Sequence, residues 1–307
     1  MTWGRGTSPE DAHEQVRTFV AGGGTLVDTA DVYADGASES ILGQIRAAEP
    51  ALMRDVVIAT KAVSRPGAPR RFDASRRHIL AALDASLTRL GVEYVDLWQL
   101  HAWDGATPLE ETLAAVEYAV SSGRVRYAGV SNYSGWQTAA AAQRQRDCAP
   151  AAPIATTQME YSLLQRGIER EVVPACLSYG VGILPWSPLG RGVLTGKYRH
   201  TSPPDSRATS EFFRPFVAHY LEERYRRVVD GVCLAAEGLG VSPTEVALSW
   251  VRDRPGVVAP IVGARTVEQV QIALASEDLE LPDEIAQALD DVSAPALGYP
   301  EHGWNQR

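Results

Sequence analysis

Four ionisable side chains close or follow short apolar runs near the start of the chain. Asp28 ends Thr25-Leu26-Val27-Asp28 and Tyr33 follows it in the next loop. Lys61 closes Val57-Ile58-Ala59-Thr60-Lys61, and His101 closes Leu97-Trp98-Gln99-Leu100-His101. In a parallel barrel, chemistry is done at the C-terminal ends of strands and in the loops just beyond them. A carboxylate, a phenol, an ammonium and an imidazole at three consecutive strand mouths can therefore converge. An ammonium beside a phenol favours the phenolate and draws its pKa down from about 10, so Tyr33 is expected to exchange a proton near neutral pH. Asp28 would orient Lys61, and a neutral His101 would hydrogen-bond a substrate oxygen or the tyrosine hydroxyl. Taken singly, each has an ordinary alternative: Asp28 a helix cap, Tyr33 a surface loop residue, Lys61 a solvated charge, His101 a satisfied buried histidine.

The elements that must position these residues read as alternating strands and helices. Apolar, β-branched runs at Thr25 to Asp28, Val56 to Thr60, Val95 to Leu100, Tyr127 to Val130, Ile154 to Gln158, Gly182 to Trp186 and Val257 to Val262 predict strands. Helical periodicity marks Pro9 to Ala21, Glu39 to Ala48, Ala74 to Leu90, Leu109 to Ser121, Ser134 to Arg146 and Ile168 to Ser178. Ser134 and Asp73 suit N-caps, Pro9 suits a first turn, and Gly22, Gly91, Gly123 and Gly180 follow helices where C-terminal glycines belong. A Gly-, Pro- and Ser-rich insertion, Leu189 to Arg214, precedes a two-part helical stretch, Phe216 to Glu237 and Pro243 to Arg252. The alternation predicts a (β/α)8 TIM barrel spanning residues 1–307 as one domain. An eighth strand should precede the first helix, where only Met1 to Trp3 are available, so the first strand is expected to be truncated or replaced.

Composition narrows the classes. The net charge of −9 opposes nucleic acid and anionic membrane surfaces as partners. No apolar run reaches the roughly 18 residues a membrane helix needs, and no basic-then-apolar leader opens the chain, which predicts a cytoplasmic protein. Cys148, Cys176 and Cys233 are far apart without a CxxC pair, so neither a disulfide framework nor a metal site is expected.

With these residues in view, the sequence resembles the aldo-keto reductases, particularly bacterial members related to the potassium-channel β-subunit. The resemblance is carried by Val27-Asp28-Thr29-Ala30-Asp31-Val32-Tyr33, Ile58-Ala59-Thr60-Lys61, the Asp96 to His101 run, Gly129-Val130-Ser131-Asn132 and Gln158-Met159-Glu160-Tyr161. Trp186-Ser187-Pro188-Leu189-Gly190 through Thr195-Gly196-Lys197-Tyr198, and Ile261-Val262-Gly263-Ala264-Arg265, complete the set in the family's order.

The resemblance implies that Asp28, Tyr33, Lys61 and His101 form a catalytic tetrad that reduces an aldehyde or ketone to an alcohol, with Tyr33 as general acid. Members that reduce carbon–carbon double bonds carry glutamate where His101 stands. It also implies that Ser131, Asn132 and Gln158 hydrogen-bond a nicotinamide carboxamide while Trp186 stacks on the nicotinamide ring. Ser187, Leu189, Gly190 and Gly263 count among the coenzyme-binding residues, and Lys197, Arg207, Arg265 and Gln269 surround the adenosine phosphates. Three cations there favour NADPH over NADH. Ile272 and Ala273 replace the acidic residue and asparagine that hold adenine elsewhere in the family. Trp3, Trp103 and Tyr133 are the candidates for lining a substrate pocket for a small carbonyl compound. The channel-subunit likeness leaves a second implication, a coenzyme-holding redox sensor or regulatory subunit with slow turnover.

Overall fold

Strand and helix alternate along the chain. The computed structural model describes residues 2–200, 203, 206, 208–211, 213–296 and 298–299. The order is α1 Pro9–Ala21, β1 Leu26–Asp28, α2 Ala37–Ala48, β2 Val57–Ala62, α3 Arg76–Leu90, β3 Val95–Leu100, α4 Leu109–Ser121, β4 Val125–Ser131, α5 Gly135–Cys148, β5 Ile154–Glu160, α6 Val172–Tyr179 and β6 Gly182–Trp186. Then come α7 Arg214–Ala218, α8 Glu223–Leu239, α9 Pro243–Arg252, α10 Val267–Ala275 and α11 Asp283–Val292. Among the described residues six strands pair in chain order and all in parallel, with helices between them, a curled sheet built in the manner of the (β/α)8 fold.

Local chemistry sets the helix ends. Ser8 caps α1 by accepting from the Asp11 N–H, with Pro9 in the first turn. Ser242 heads α9 in a capping box with Glu245, and at the start of α5 the Ser134 N–H donates to Gln137 Oε1 at 2.8 Å. At α3 the N-cap is Ser75 rather than the expected Asp73. Asp73 instead accepts the Ser75 N–H at 3.1 Å, holding the capping residue. Each helix turns an apolar stripe inward, as Ile79, Leu83, Leu87 and Leu90 do on α3.

Most of the core lies between the sheet and these stripes. A second, smaller cluster, Ala59, Leu97 and Leu184 with Ala259 and Ile261 against it, fills the interior of the curled sheet. Both strand faces are thus covered, which explains why β2 and β3 read as continuous apolar runs. Buried Glu39 of α2 accepts from Thr60 Oγ1 of β2 at 2.5 Å and from Arg89 Nε of α3 at 2.7 Å, fixing two helices to one strand.

The strand expected at Val257 to Val262 is reduced to two parallel bridges to β6, Ile183 with Val257 and Trp186 with Ile261. The Val258 and Ile261 N–H groups reach Ile183 O and Pro185 O, but Pro260 between them has no N–H to donate. Where an eighth strand would close the ring, residues 2–7 form a turn in which the N–H groups of Arg5, Gly6 and Thr7 all donate to Thr2 O. Between β1 and residues 258–264 lies a cavity of about 390 Å³ whose walls include Trp3, Gln15, Phe19, Leu26 and Leu274. α10, which begins just after Arg265, is followed by α11, the last helix among the described residues. Among the described residues no helix is long and apolar enough to cross a membrane.

Candidate active site

Side chains alternate along a strand, so Ala59 and Leu97 inside the curled sheet put Lys61, Gln99 and His101 on that same inner face. At its C-terminal rim Lys61 is fully buried and donates to Asp28 Oδ2 at 2.5 Å and to Thr29 O at 2.8 Å. Its Nζ lies 5.1 Å from the Tyr33 ring centre. His101 packs edge-on against Tyr33, ring centres 5.8 Å apart. The four residues expected to converge are therefore together.

Two residues extend this group. Gln99 Nε2 and Gln158 Nε2 both donate to Asp28 Oδ1, at 3.3 and 2.9 Å, so the carboxylate is gripped by Lys61 on one oxygen and by two amides on the other. Sequence reasoning passed over Gln99, although its position two residues before His101 on one strand is the signal for a shared face. Asp31, in the loop that carries Tyr33, points a buried Oδ1 without a hydrogen-bond partner among the described residues.

Burial raises the Tyr33 pKa, and the pull of Lys61 downward does not cancel it, so the net direction is up. This corrects the expectation of a phenol exchanging near neutrality: Tyr33 is held as the neutral acid because desolvation of its anion outweighs one ammonium. Burial likewise pushes Lys61 down, but Asp28 and Tyr33 together reverse it and the ammonium is kept. His101 is driven by burial, then by Lys61, to about 3 and is neutral. Burial, then the neighbouring Glu39 carboxylate, lift Asp31 to about 7.

The coenzyme candidates at the next strand ends form a connected chain of hydrogen bonds. Ser131 Oγ donates to Gln158 O at 2.8 Å, Asn132 Nδ2 donates to His101 O at 2.9 Å and to Ser131 Oγ at 3.1 Å, and Trp186 Nε1 donates to Asn132 Oδ1 at 3.1 Å. Asn132 and Ser187 hold left-handed backbones at φ +56° and +52°, a cost of the kind that gathers at functional sites. Amide and hydroxyl donors beside a flat indole, next to a buried His101 Nδ1 that has no hydrogen-bond partner among the described residues, suit a carboxamide on an aromatic ring. Residues Ser187 to Gly190 make a tight turn closed by Gly190 N–H to Ser187 O at 2.9 Å. Gly190 is required there, since its φ is +53° and a Cβ would sit 2.6 Å from Leu164 Cδ1.

The phosphate candidates are more dispersed. Lys197 lies 5.2 Å over the Tyr198 ring, in the insertion after β6. Arg265 stands just before Thr266, the N-cap of α10, and its N–H donates to Gln269 Oε1 at 2.8 Å, so the Gln269 side chain is folded back onto the helix start. Gly263 lines the cavity beside β1, and Arg207 lies outside the described residues. Of the pocket candidates, Trp103 packs edge-on to Tyr133 and Trp136, at 5.1 and 5.3 Å. Tyr133 is 1% exposed and supports Trp103 from behind. Trp3 is turned elsewhere, donating to Gln15 Oε1 at 3.0 Å and lining the cavity beside β1.

A family model described as "Aldo/keto reductase family" matches residues 1–294. The chain is 32% identical over 303 residues to a probable voltage-gated potassium channel subunit beta of Oryza sativa subsp. japonica, covering 98% of this chain and 92% of that protein. It is 33% identical over 294 residues to versiconal hemiacetal acetate reductase of Aspergillus parasiticus, covering 89% and 84%. With an aldo-keto reductase of Schizosaccharomyces pombe named for NADP(+), identity is 30% over 309 residues, covering 96% and 87%. A match of this extent, over a parallel αβ sheet whose rim joins Asp28, Tyr33, Lys61 and His101, means that the chain belongs to the aldo/keto reductase family.

Proposed function

We propose that this protein is an NADPH-dependent carbonyl reductase acting in the cytoplasm as one barrel domain over residues 1–307, turning an aldehyde or ketone into an alcohol. The observation that carries the reading is the buried Lys61 ammonium bonded to the Asp28 carboxylate and lying 5.1 Å from the Tyr33 ring centre. NADPH, when bound, supplies the hydride. Tyr33 gives its proton to the carbonyl oxygen as negative charge builds there, and Lys61 stabilises the phenolate left behind. The raised pKa of free Tyr33 fits the reducing direction, because the acid is fully protonated before it is needed. His101, neutral through the physiological range, donates a hydrogen bond that orients the oxygen without competing as an acid. Ser131, Asn132 and Gln158 would hold the carboxamide by exchanging the hydrogen bonds they now make with their neighbours, and Trp186 would stack on the ring. Ser187, Leu189, Gly190, Gly263 and Gln269 would line the coenzyme's path.

Lys197, Arg265 and Arg207 are the cations assigned to the adenosine phosphates, and the family member named for NADP(+) supports that preference. The apolar wall is assigned to Trp103, backed by Tyr133. Tyr33→Phe is expected to lower NADPH-dependent reduction of a reactive aromatic aldehyde by about 10²- to 10⁴-fold while NADPH binding persists. Unchanged turnover in that variant would remove Tyr33 from the proton-donor role, and equal efficiency with NADH would remove the phosphate assignment.

The rice relative's name favours a second reading, a coenzyme-holding sensor or regulatory subunit. Tight NADPH retention with negligible turnover across a panel of aldehydes and ketones is the result expected of it.

A further inference from the structure

One cation near the rim has no part in the tetrad or the phosphate set. Arg191 follows β6 in the insertion, on a left-handed backbone at φ +59°. Its Nε and Nη2 donate to the two oxygens of Glu160 at 2.8 and 2.7 Å, and its Nη1 donates to Phe216 O at 2.5 Å. The pair is largely shielded, with side-chain exposures of 17% and 16%. Tyr220 Oη donates to the same Glu160 oxygen at 3.0 Å. The guanidinium lies 4.0 Å from the Phe216 ring centre and 5.8 Å from that of Trp186. The two rings are themselves stacked, 15° from parallel with centres 6.4 Å apart.

Trp186 is thus held twice. Its Nε1 is tied to Asn132 on one edge, and Phe216 and Arg191 back the ring. Arg191 joins the end of β5 through Glu160, the end of β6 through Trp186 and α7 through Phe216. A two-pronged guanidinium–carboxylate contact fixes direction as well as distance, and a planar cation against aromatic faces adds attraction that an ammonium reproduces poorly. A side chain serving only to anchor the insertion would need the Glu160 and backbone contacts alone.

We infer that Arg191 is a positioning residue for the coenzyme, locking the Trp186 ring at the angle from which it stacks on the nicotinamide. The inference rests on the proposed coenzyme-stacking role of Trp186. Loosening Arg191 should speed coenzyme departure and let the nicotinamide present either of its two hydrogens to the substrate.

The test is a double-mutant cycle on the NADPH dissociation rate, followed by coenzyme fluorescence in the full-length native protein, Arg191→Met, Trp186→Ala and the double variant. Arg191→Met is expected to release NADPH about tenfold faster than the native protein, yet to change the rate by less than about twofold once Trp186 is alanine. Arg191→Lys, which keeps a charge beside Glu160, should hold the native thermal midpoint and still speed release, separating positioning from folding. With coenzyme deuterated on one face, Arg191→Met should show mixed transfer where the native protein shows one. Equal acceleration with and without Trp186 overturns the inference while leaving the coenzyme reading standing. Failure of the native protein to bind NADPH overturns both.

Discussion

At Lys61 a single buried ammonium satisfies a carboxylate and a backbone carbonyl and lies against the Tyr33 ring, and its neighbours adjust around it. Asp31 is the residue whose adjustment is most measurable. Its carboxyl faces Glu39 of α2, Arg89 of α3, Lys61 of β2 and Tyr33 of its own loop, and burial with the Glu39 charge lifts its pKa from 3.8 to about 7. An acid whose pKa is raised by folding contributes stability that is fully present below the unfolded value and is lost as pH rises through the folded one. The window here runs from 3.8 to about 7. Asp31→Asn should therefore raise the thermal midpoint at about pH 8, where the native carboxylate bears the full cost of burial, and raise it less at about pH 5. A midpoint difference independent of pH would mean that Asp31 is not the group titrating. Strand-end position alone brought the four rim residues into view, because alternation and the C-terminal rim are properties of the sequence. Sequence reasoning missed the sign of the Tyr33 shift, since burial is a property of everything packed around the phenol.

The packing of α2 on α3 depends on closeness more than on apolar area. A Cβ at Gly43 would lie 2.5 Å from Arg89 O and 2.9 Å from Leu90 O, both backbone atoms unable to step aside. Helix propensity favours alanine over glycine by about 1 kcal/mol, yet Gly43→Ala should destabilise by about 1–3 kcal/mol because the helices must part. Exposed Gly238 on α8 has nothing within 4 Å of that position, so the same change there should stabilise by roughly 0.5–1 kcal/mol. Denaturant midpoints of the two variants check the opposite signs. Element positions were largely legible: α1, α4, β3, β6 and α9 run where periodicity put them. The lapses have local causes. Residues 257–262 are β-branched enough to read as a strand but carry Pro260, which leaves two bridges. α11 was not foreseen, and Trp3 went to Gln15 because a side-chain partner across 12 residues has no periodic signature.

Taken whole, the sheet curls through six parallel strands and leaves a seam beside β1. β1 ends the strand order, and its three residues have β2 on one side and the cavity on the other. Bonds from Thr29 N–H to Ala59 O and from Val57 N–H to Thr25 O leave Leu26 and Asp28 turning their own peptide groups away from β2, by the alternation of a parallel ladder. Hydrogen exchange should accordingly be faster at the Leu26 and Asp28 amides than at Leu97 and Gln99 of β3, which is paired on both sides. Comparable protection at both pairs would mean that the seam is closed in solution. Across that curl, the Asp28 carboxylate reaches Lys61 on β2, Gln99 on β3 and Gln158 on β5. It works as a tie-rod, strung over the hollow from the edge strand beside the cavity. The girth of the rim, and with it the spacing of the groups that hold coenzyme and carbonyl, is set by the same two oxygen atoms that orient the ammonium. Shortening that rod would slacken the hoop as well as disarm it.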